Sequence, residues 1–579
     1  MPGGLLNIVA YGDQNVFIHG NPTKTHFKTS YAKHTNFGLQ KFRIDFSGSR
    51  TLRMDEHTTM DFKIPRYAEL LMDTYVVVTM PHIWSPVIPP DSSVMSGDGT
   101  GTPAAGAHTR WRPYDFKWID NLGSQMIHEV ELTIGSQTIQ KFSGDYMHNM
   151  VLRDFGVTKR TLYDEMTGHT KEMNDPANAY ERRSQYPTAY SGDGAACEPS
   201  IRGRKLYIPL NTWFTMSNKM AFPLASLQYN ELNIRITFRP IRDLFVIRDV
   251  MSSSYDPTVP TLYTRAQKGV PDHSFHRFLH SPPGLHVLTD DYPSDRTDWT
   301  TDIHLISTYA FLSDEEVKLF SGESQTYLIK EVYEHTFPNL VNSNRQEIVS
   351  NGMVSSWMWF FRRSDAVSRN QWSNYTNWPY LYQPIDLLVA PTDDEYGVGG
   401  IVGERSYGPG TDPNSFYGDS SVLDLDTNTF ITGDYRPNNH KNIMEKCAML
   451  FDGKYRENEM DAGIFSYIDK YTRTRGYASN GLYCYNFCLD TSPYTQQPSG
   501  AINLSKFNTI ELEFATITPP VSDRSMYTET CDPVTGLVIG DNMTQSWKLY
   551  EYVYDLIFIE ERYNILKFIS GNASLMYAR

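Results

Sequence analysis

ELNIRITF, residues 231–238, alternates without a break: Leu232, Ile234, Ile236 and Phe238 fall on one side, Asn233, Arg235 and Thr237 on the other. A period of two marks a strand with one face on a core and one in water. The pattern recurs in HEVELTI (128–134), where Val130, Leu132 and Ile134 oppose Glu129, Glu131 and Thr133. It recurs again in TIELEF (509–514), where Ile510, Leu512 and Phe514 oppose Glu511 and Glu513. Two stacked sheets of such strands make a sandwich or jelly roll. Aromatic residues are 13% of the chain, and they suit a pleated, half-buried surface. The expected class is therefore all-β, with few and short helices.

The alternating stretch also has a partner further along. PLASLQYNELNIRITF (223–238) resembles NLSKFNTIELEFATI (503–517): a small polar lead-in, an Asn, then an alternating strand. Each is followed by an apolar run that ends in acidic residues, IHLISTYAFLSDEE (303–316) and YEYVYDLIFIEE (550–561). Repeated order suggests two copies of one domain. A chain of 579 residues agrees, because single cores stop growing near ~250–300 residues. The boundary is expected near residue 320. Ser313 and Glu316 have the spacing of a capping box, which predicts one or two helical turns there.

Charge narrows the function. The chain carries 52 Lys and Arg against 67 Asp and Glu, a net charge of −15. Most of its surface would repel nucleic acid, whose binders carry a basic face. The exception is 1–53, with Lys24, Lys28, Lys33, Lys41, Arg43, Arg50 and Arg53 against Asp13 and Asp45. Five cysteines, Cys197, Cys447, Cys484, Cys488 and Cys531, are too few and odd in number for a disulfide framework, which fits a reducing compartment. The opening MPGGLLNIVAYGDQN lacks the layout of a signal peptide, and no apolar run is long enough to span a bilayer as a helix. Stretches rich in Gly, Pro, Ser and Asp at about 84–113, 155–200, 250–300 and 391–440 read as long loops. The last holds nine acidic residues against Arg405 and Arg436 and belongs in solvent.

Several blocks resemble the major capsid proteins of nucleocytoplasmic large DNA viruses, on the mimivirus-like and phycodnavirus-like side of that family. At the N-terminus they are Gly3-Gly4, Val9-Ala10-Tyr11-Gly12, Gly20-Asn21-Pro22, Phe27-Lys28, Tyr31 and His34-Thr35-Asn36-Phe37. IDNLGSQMIHEVELTIGSQTIQKFSGDYM (119–147), the Leu-Gln-Tyr block within 208–240, and YAFLSDEEVKLFSGESQTYLIKEV (309–332) continue the resemblance. QQPSGAINLSKFNTIELEF (496–514) and RYNILKFISGNASLMYAR (562–579) complete it. The resemblance implies two consecutive eight-stranded jelly rolls: an N-terminal basic arm over 1–36, jelly roll one over 37–320, and jelly roll two over 321–579 with an acidic insertion at about 391–440. It implies homotrimeric capsomers of pseudo-hexagonal outline that tile an icosahedral virion shell assembled in the host cytoplasm. The implied partners are neighbouring capsomers, minor capsid proteins and a penton protein. An inner-face arm carrying Lys24, Lys28, Lys33 and Lys41 would lie near an internal membrane, with 391–440 projecting outward. Loop aromatics, Trp84, Trp111, Tyr163, Tyr180 and Phe275, are then expected to bury area against neighbouring chains.

No catalytic motif holds, and no enzyme activity or cofactor is expected. Gly97-Asp98-Gly99-Thr100-Gly101 lacks dinucleotide-fingerprint spacing, and Asp424, Asp426 and Asn428 open a calcium-loop pattern that fails at Thr429 and Tyr435. His273, His276, His280 and His286 lie close together, and loop packing is preferred over a metal site because no second cluster completes one. Cys484 and Cys488 read as buried small hydrophobes. Asn374, Asn503, Asn542 and Asn572 stand in glycosylation sequons. The rival reading is a carbohydrate-binding or carbohydrate-active β-sandwich, with Trp372, Tyr375, Trp378 and Tyr380 as an exposed sugar platform.

Overall fold

The structure of the chain is a computed structural model. It describes residues 12–88, 112–182, 185–189, 197–248, 263–283, 292, 294–379, 386–389, 404–406, 430–432, 440–477, 479–522, 527–531, 538–543 and 549–577.

Sixteen of the described strands fall into two sets of eight. The first set is β1 (Phe37–Ile44), β2 (Thr58–Lys63), β3 (Leu70–Thr79), β4 (Ile127–Ile134), β5 (Gln137–Ser143), β6 (Lys205–Pro209), β7 (Leu232–Phe238) and β8 (Ile303–Leu312). The second is β9 (Gln325–Leu340), β10 (Ser343–Glu347), β11 (Met353–Arg363), β12 (Met444–Phe451), β13 (Lys454–Asp461), β14 (Leu482–Asn486), β15 (Ile510–Thr516) and β16 (Tyr554–Ile569). The first set forms sheets β1-β8-β3-β6 and β2-β7-β4-β5; the second forms β9-β16-β11-β14 and β10-β15-β12-β13. Each strand of the first set has the place in its sheet that the strand eight numbers later has in the second. Every pairing is antiparallel. This is a jelly roll made twice.

The alternation in 231–238 does what its period demands. Ile234 lies opposite Leu132 and Ile236 opposite Val130. The apolar residues of β7 are buried and the polar ones are not, and β15 repeats the pattern. The sequence repeat extends to the lead-in. Phe222–Pro223 pairs with β3 and runs into a 3-10 turn at Leu224–Ser226. Likewise Ile502–Asn503 pairs with β11 and runs into a 3-10 turn at Leu504–Lys506.

Inside the second sandwich, Val354, Trp357, Trp359 and Phe361 of β11 and Leu556 and Phe558 of β16 pack on Cys447, Met449, Leu512 and Phe514. The alternate residues of the same strands, Met358, Phe360, Ile557 and Ile559, belong to the core of the first sandwich. β11, β14 and much of β16 are therefore buried on both faces, which is why WMWFF and LIFI read as continuous apolar runs.

Three helices correct the sequence reading. α1 (Gly144–Asp154) and α2 (Val157–Thr167) lie in or beside the span expected to be irregular at 155–200. All eleven residues of α1 are buried, so it shows no polar stripe by which a helix is recognised. Its start has a local cause: the Ser143 hydroxyl caps the Tyr146 amide, and Asp145 sits in the first turn. α3 (Asp314–Gly322) forms at the expected place, but the Ser313 side chain makes no capping bond. Glu316 instead accepts a hydrogen bond from the Thr35 hydroxyl at 2.7 Å, so the arm takes the carboxylate that the capping box would have used.

Candidate functional site

The first surface of interest is the seam between the sandwiches. α1 lies on the outer face of β9-β16-β11-β14 and fills it with paired charge. Arg153 Nη2 reaches Glu561 Oε1 at 2.6 Å and Asp154 Oδ2 at 2.7 Å, with all three side chains essentially solvent-free. Tyr146 donates to Glu561 Oε1 at 3.0 Å, Ser356 donates to Glu561 Oε2 at 2.8 Å, and Lys330 Nζ lies 3.4 Å from the same oxygen. Thr491 donates to Asp154 at 2.5 Å. Burial alone would raise the Glu561 carboxyl; Arg153 and Lys330 outweigh it and hold the group below the usual glutamate range. Arg153 and Asp154 come from the first half of the chain; Glu561, Lys330, Ser356 and Thr491 come from the second. A buried ion of this kind tolerates no missing partner, so the network fixes the two sandwiches in one relation.

Beside it, Asp145 of α1 accepts from Arg362 at 3.0 Å and from Gln125 at 3.1 Å. Apolar contacts continue the seam: Trp213 packs on Tyr327 with ring centroids 5.4 Å apart, and Phe222 meets Phe568 edge-on at 5.4 Å. Two glycines let backbones touch. A Cβ at Gly476 would lie 2.3 Å from the carbonyl oxygens of Leu152 and Arg153. Gly571, at φ +80°, turns tightly enough for its carbonyl to accept from the Gln228 and Tyr229 amides at 2.9 and 3.2 Å.

The second surface is the corresponding face of the first sandwich. On the outside of β1-β8-β3-β6, Phe37, Leu39 and Tyr207 are exposed at 58%, 54% and 41%, and Ile306 and Tyr75 are half-buried. The third surface is the arm. The helix Asn15–His19 buries no residue, and Val16, Phe17, Ile18, Phe27 and Tyr31 are exposed among Lys24, Lys28 and Lys33. Lys41 is exposed on β1.

Among the described residues, Trp372, Tyr375 and Trp378 do not form the exposed aromatic platform of the rival reading. Tyr375 is buried and its ring lies 3.9 Å from that of Phe360, while Trp372 donates to the Asp243 carbonyl at 2.9 Å beneath the Arg239 guanidinium. Tyr380 lies outside the described residues. Two of the loop aromatics expected at chain contacts are also internal: Phe275 sits in the core beside Phe245, and Tyr163 is buried against Phe155. Trp84 is half-buried and Tyr180 exposed, and Trp111 lies outside the described residues.

His273 and His276 are buried and His280 half-buried, while His286 lies outside the described residues. Cys484 and Cys488 are buried free thiols. Of the sequon asparagines, Asn374 is half-buried and donates to the Trp378 carbonyl at 2.8 Å. Asn503 is exposed and caps Ser505, Asn572 is exposed and accepts from Asn230, and Asn542 lies in the strand Val538–Met543. Most of 391–440, with Gly97–Gly101 and the Asp424–Asn428 pattern, lies outside the described residues.

The seam charges are what sequence reasoning missed. A signal existed in LIFIEER (556–562), where charges follow an apolar run with no turn residue between.

Comparison with known proteins agrees with this architecture. The family model "Major capsid protein N-terminus" matches residues 25–264, and "Large eukaryotic DNA virus major capsid protein" matches residues 316–574. The major capsid protein of Chrysochromulina ericina virus is 22% identical over all of both chains. That of Paramecium bursaria Chlorella virus 1 is 23% identical, also over all of both chains. Among solved structures, the Faustovirus major capsid protein superposes with a TM-score of 0.57 at 12% identity, covering 97% of this chain and 96% of that one. The two family models follow one another along the chain, and the chain belongs to the double jelly-roll major capsid proteins of large eukaryotic DNA viruses, the proteins of the virion shell.

Proposed function

We propose that this chain forms homotrimeric capsomers that tile an icosahedral shell. The observation that carries the reading is one topology built twice in a single chain and locked by a buried seam. Three such chains bring six similar sandwiches around one axis, which gives a trimer a hexagonal outline fit for a flat facet. The chain divides into an arm (1–36), jelly roll one (37–320) and jelly roll two (321–579, with the insertion at about 391–440). Its partners are copies of itself, neighbouring capsomers, minor capsid proteins and a penton protein. The arm, with Lys24, Lys28 and Lys33 beside exposed Phe17, Ile18 and Phe27, suits an anionic lipid surface at an internal membrane. The net charge of −15 argues against direct nucleic-acid binding. The role is structural rather than catalytic and uses no cofactor, with assembly in the host cytoplasm. Asn503 and Asn572, both exposed, are better glycan acceptors than Asn374.

Size exclusion with light scattering tests the reading. A species of three times 66.4 kDa is expected. A monomer at every concentration contradicts it. Limited proteolysis of intact particles is expected to cut within 391–440 and spare 1–36, and the reverse pattern contradicts the orientation of the arm.

A further inference from the structure

The end of the first sandwich that lies away from the arm holds a pocket. β1 leaves the arm at Phe37, which pairs with Leu312 at the close of β8. β8 pairs Ala310 with Leu70 and Ile303 with Val78, so β3 starts at the arm end and finishes at the opposite one. Lys205, the first residue of β6, pairs with Thr79 at that far end. The segment leading into β6 is tied there to the chain leaving β3. Ile201 bridges Ile83, the Ser200 hydroxyl accepts from the Ser85 amide at 3.0 Å, and the Ala189 amide donates to the Ser85 carbonyl at 2.8 Å. Beside these ties lies a cavity of about 500 Å³, lined by Glu172, Tyr180, Arg182, Glu198 and Arg202. That is the size of a small-molecule site.

The lining selects a class of ligand. Two carboxylates and two guanidinium groups leave these walls without net charge, so they offer an ion little. The arginines are only partly used: among the described residues, Arg182 donates once, to the Pro176 carbonyl at 2.9 Å, and Arg202 once, to Glu198 at 2.8 Å. A guanidinium carries five N–H groups and a carboxylate about four acceptor sites. Donors and acceptors are therefore both in surplus, the complement of hydroxyls that each donate and accept. Tyr180 adds an apolar surface. Residues 180 and 181 both take left-handed backbone, at φ +53° and +64°, and the Arg182 amide closes the turn onto the Ala179 carbonyl at 3.1 Å. The turn leaves the Tyr180 ring 70% exposed, with the Arg182 guanidinium 5.6 Å from its centroid and Glu172 beside its hydroxyl. Such a ring has an apolar face for the C–H side of a sugar and a polar tip for its hydroxyls. Pro187 and Pro199 stiffen the walls, so little order is lost on binding.

We propose that this pocket binds a neutral, hydroxyl-rich glycan at the outer end of the sandwich, with Tyr180 stacked on one pyranose ring and Glu172, Arg182, Glu198 and Arg202 bonded to its hydroxyls. The site goes beyond the shell role. Its outward placement rests on the reading that puts the arm inside, because pocket and arm lie at opposite ends of one sandwich. A weak single site gains strength by repetition over a shell, where many copies meet one surface together.

Full-length chain made without glycans in bacteria tests the site by NMR titration with neutral gluco-, manno- and galacto-oligosaccharides at millimolar concentration. Sialylated and sulfated trisaccharides are the controls. Wild type is expected to bind neutral sugars, Tyr180→Ala to bind at least about 10-fold more weakly, Arg202→Ala about 5-fold more weakly, and Tyr180→Phe within about 3-fold of wild type. Both side chains are exposed, so melting temperature and mass by light scattering are expected to stay unchanged. Absence of binding, preference for the charged controls, or binding that neither alanine variant weakens overturns the site. A changed oligomeric mass in Tyr180→Ala also overturns it, because the ring then belongs to a contact between copies. Purified particles separate two sources of the glycan. Particles that bind as prepared point to sugars on another surface; particles that bind only after glycosidase treatment point to sugars of the shell itself. Particles that bind in neither state, while the free chain binds, overturn the outward placement and leave the pocket standing.

Discussion

Met358, Phe360, Ile557 and Ile559 point outward from the second sandwich and are sealed; Phe37, Leu39 and Tyr207 point outward from the first and are open. The two faces belong to equivalent sheets in one chain. They differ in what covers them. The sealed face carries Glu561 and Lys330, buried charges made tolerable by each other and, at Glu561, by Arg153 and Tyr146 of α1. The open face carries its charge as surface pairs such as Arg43 with Asp45 and Asp302, which solvent satisfies whether or not anything docks. A permanent contact within a chain can rely on buried ions, because the partner is always there. A face that must also exist alone before assembly cannot.

The comparison breaks first at Glu561. Glu561→Gln removes the anion that Arg153 and Lys330 share, leaving Lys330 without its carboxylate and Arg153 with Asp154 alone. The expected cost is about 3–5 kcal/mol, read by calorimetry or denaturant titration. Because residues from both halves form the seam, the variant is expected to unfold in one transition at lower temperature. Two separated transitions, or a loss under about 1 kcal/mol, would mean the seam does not couple the sandwiches. The acid limb follows in sign: the folded-state value of Glu561 lies below the ordinary one, so its stabilisation is present above the unfolded value and is lost as pH falls through that range.

Gly476→Ala presses a methyl group against the α1 backbone carbonyls and is expected to cost about 1–3 kcal/mol. An unchanged melting temperature would show that α1 can slide on the second sandwich. Asp469→Asn acts in the opposite direction. Burial pushes the Asp469 carboxyl up to about 6, against the pull of Arg473 and Asn486. A raised acid binds its proton more tightly folded than unfolded, so stability falls as pH rises from about 4 to 6 and stays lower above that. The amide, which can still accept from Asn486, is expected to gain about 1–2 kcal/mol at pH 7 after discounting for solvent, and nothing below pH 4. An equal gain at both pH values would locate the effect in packing rather than in charge. The smallest effect belongs to the open face, where Arg43→Ala is expected to cost under about 1 kcal/mol, and less in high salt.

Where one face of a strand is wet, the sequence is easily read. β4, β7 and β15 declare themselves because Glu129, Arg235 and Glu511 alternate with core residues. β11 and β16 are legible as strands but not as a seam, since runs such as WMWFF and LIFI carry no alternation to say which face meets which partner. α1 is hidden for the helical version of the same reason, being buried on every side. The aromatic cluster around Trp372 and Tyr375 misleads because sequence spacing cannot say that Phe360 lies beneath it. Arg153, Asp154, Lys330 and Glu561 look like solvated charges until residues far apart in the chain meet across the seam.

Hydroxyl-radical footprinting of the full chain across a concentration series tests the central claim most directly. Met358 and Phe360 are expected to be protected equally at every concentration, because their cover is internal, while Phe37, Leu39 and Tyr207 are expected to be oxidised in the lone chain. Oxidation of Met358 and Phe360 in the most dilute sample, to the extent seen at Phe37 and Leu39, would contradict the claim that the outer sheet face of the second sandwich is sealed within the chain.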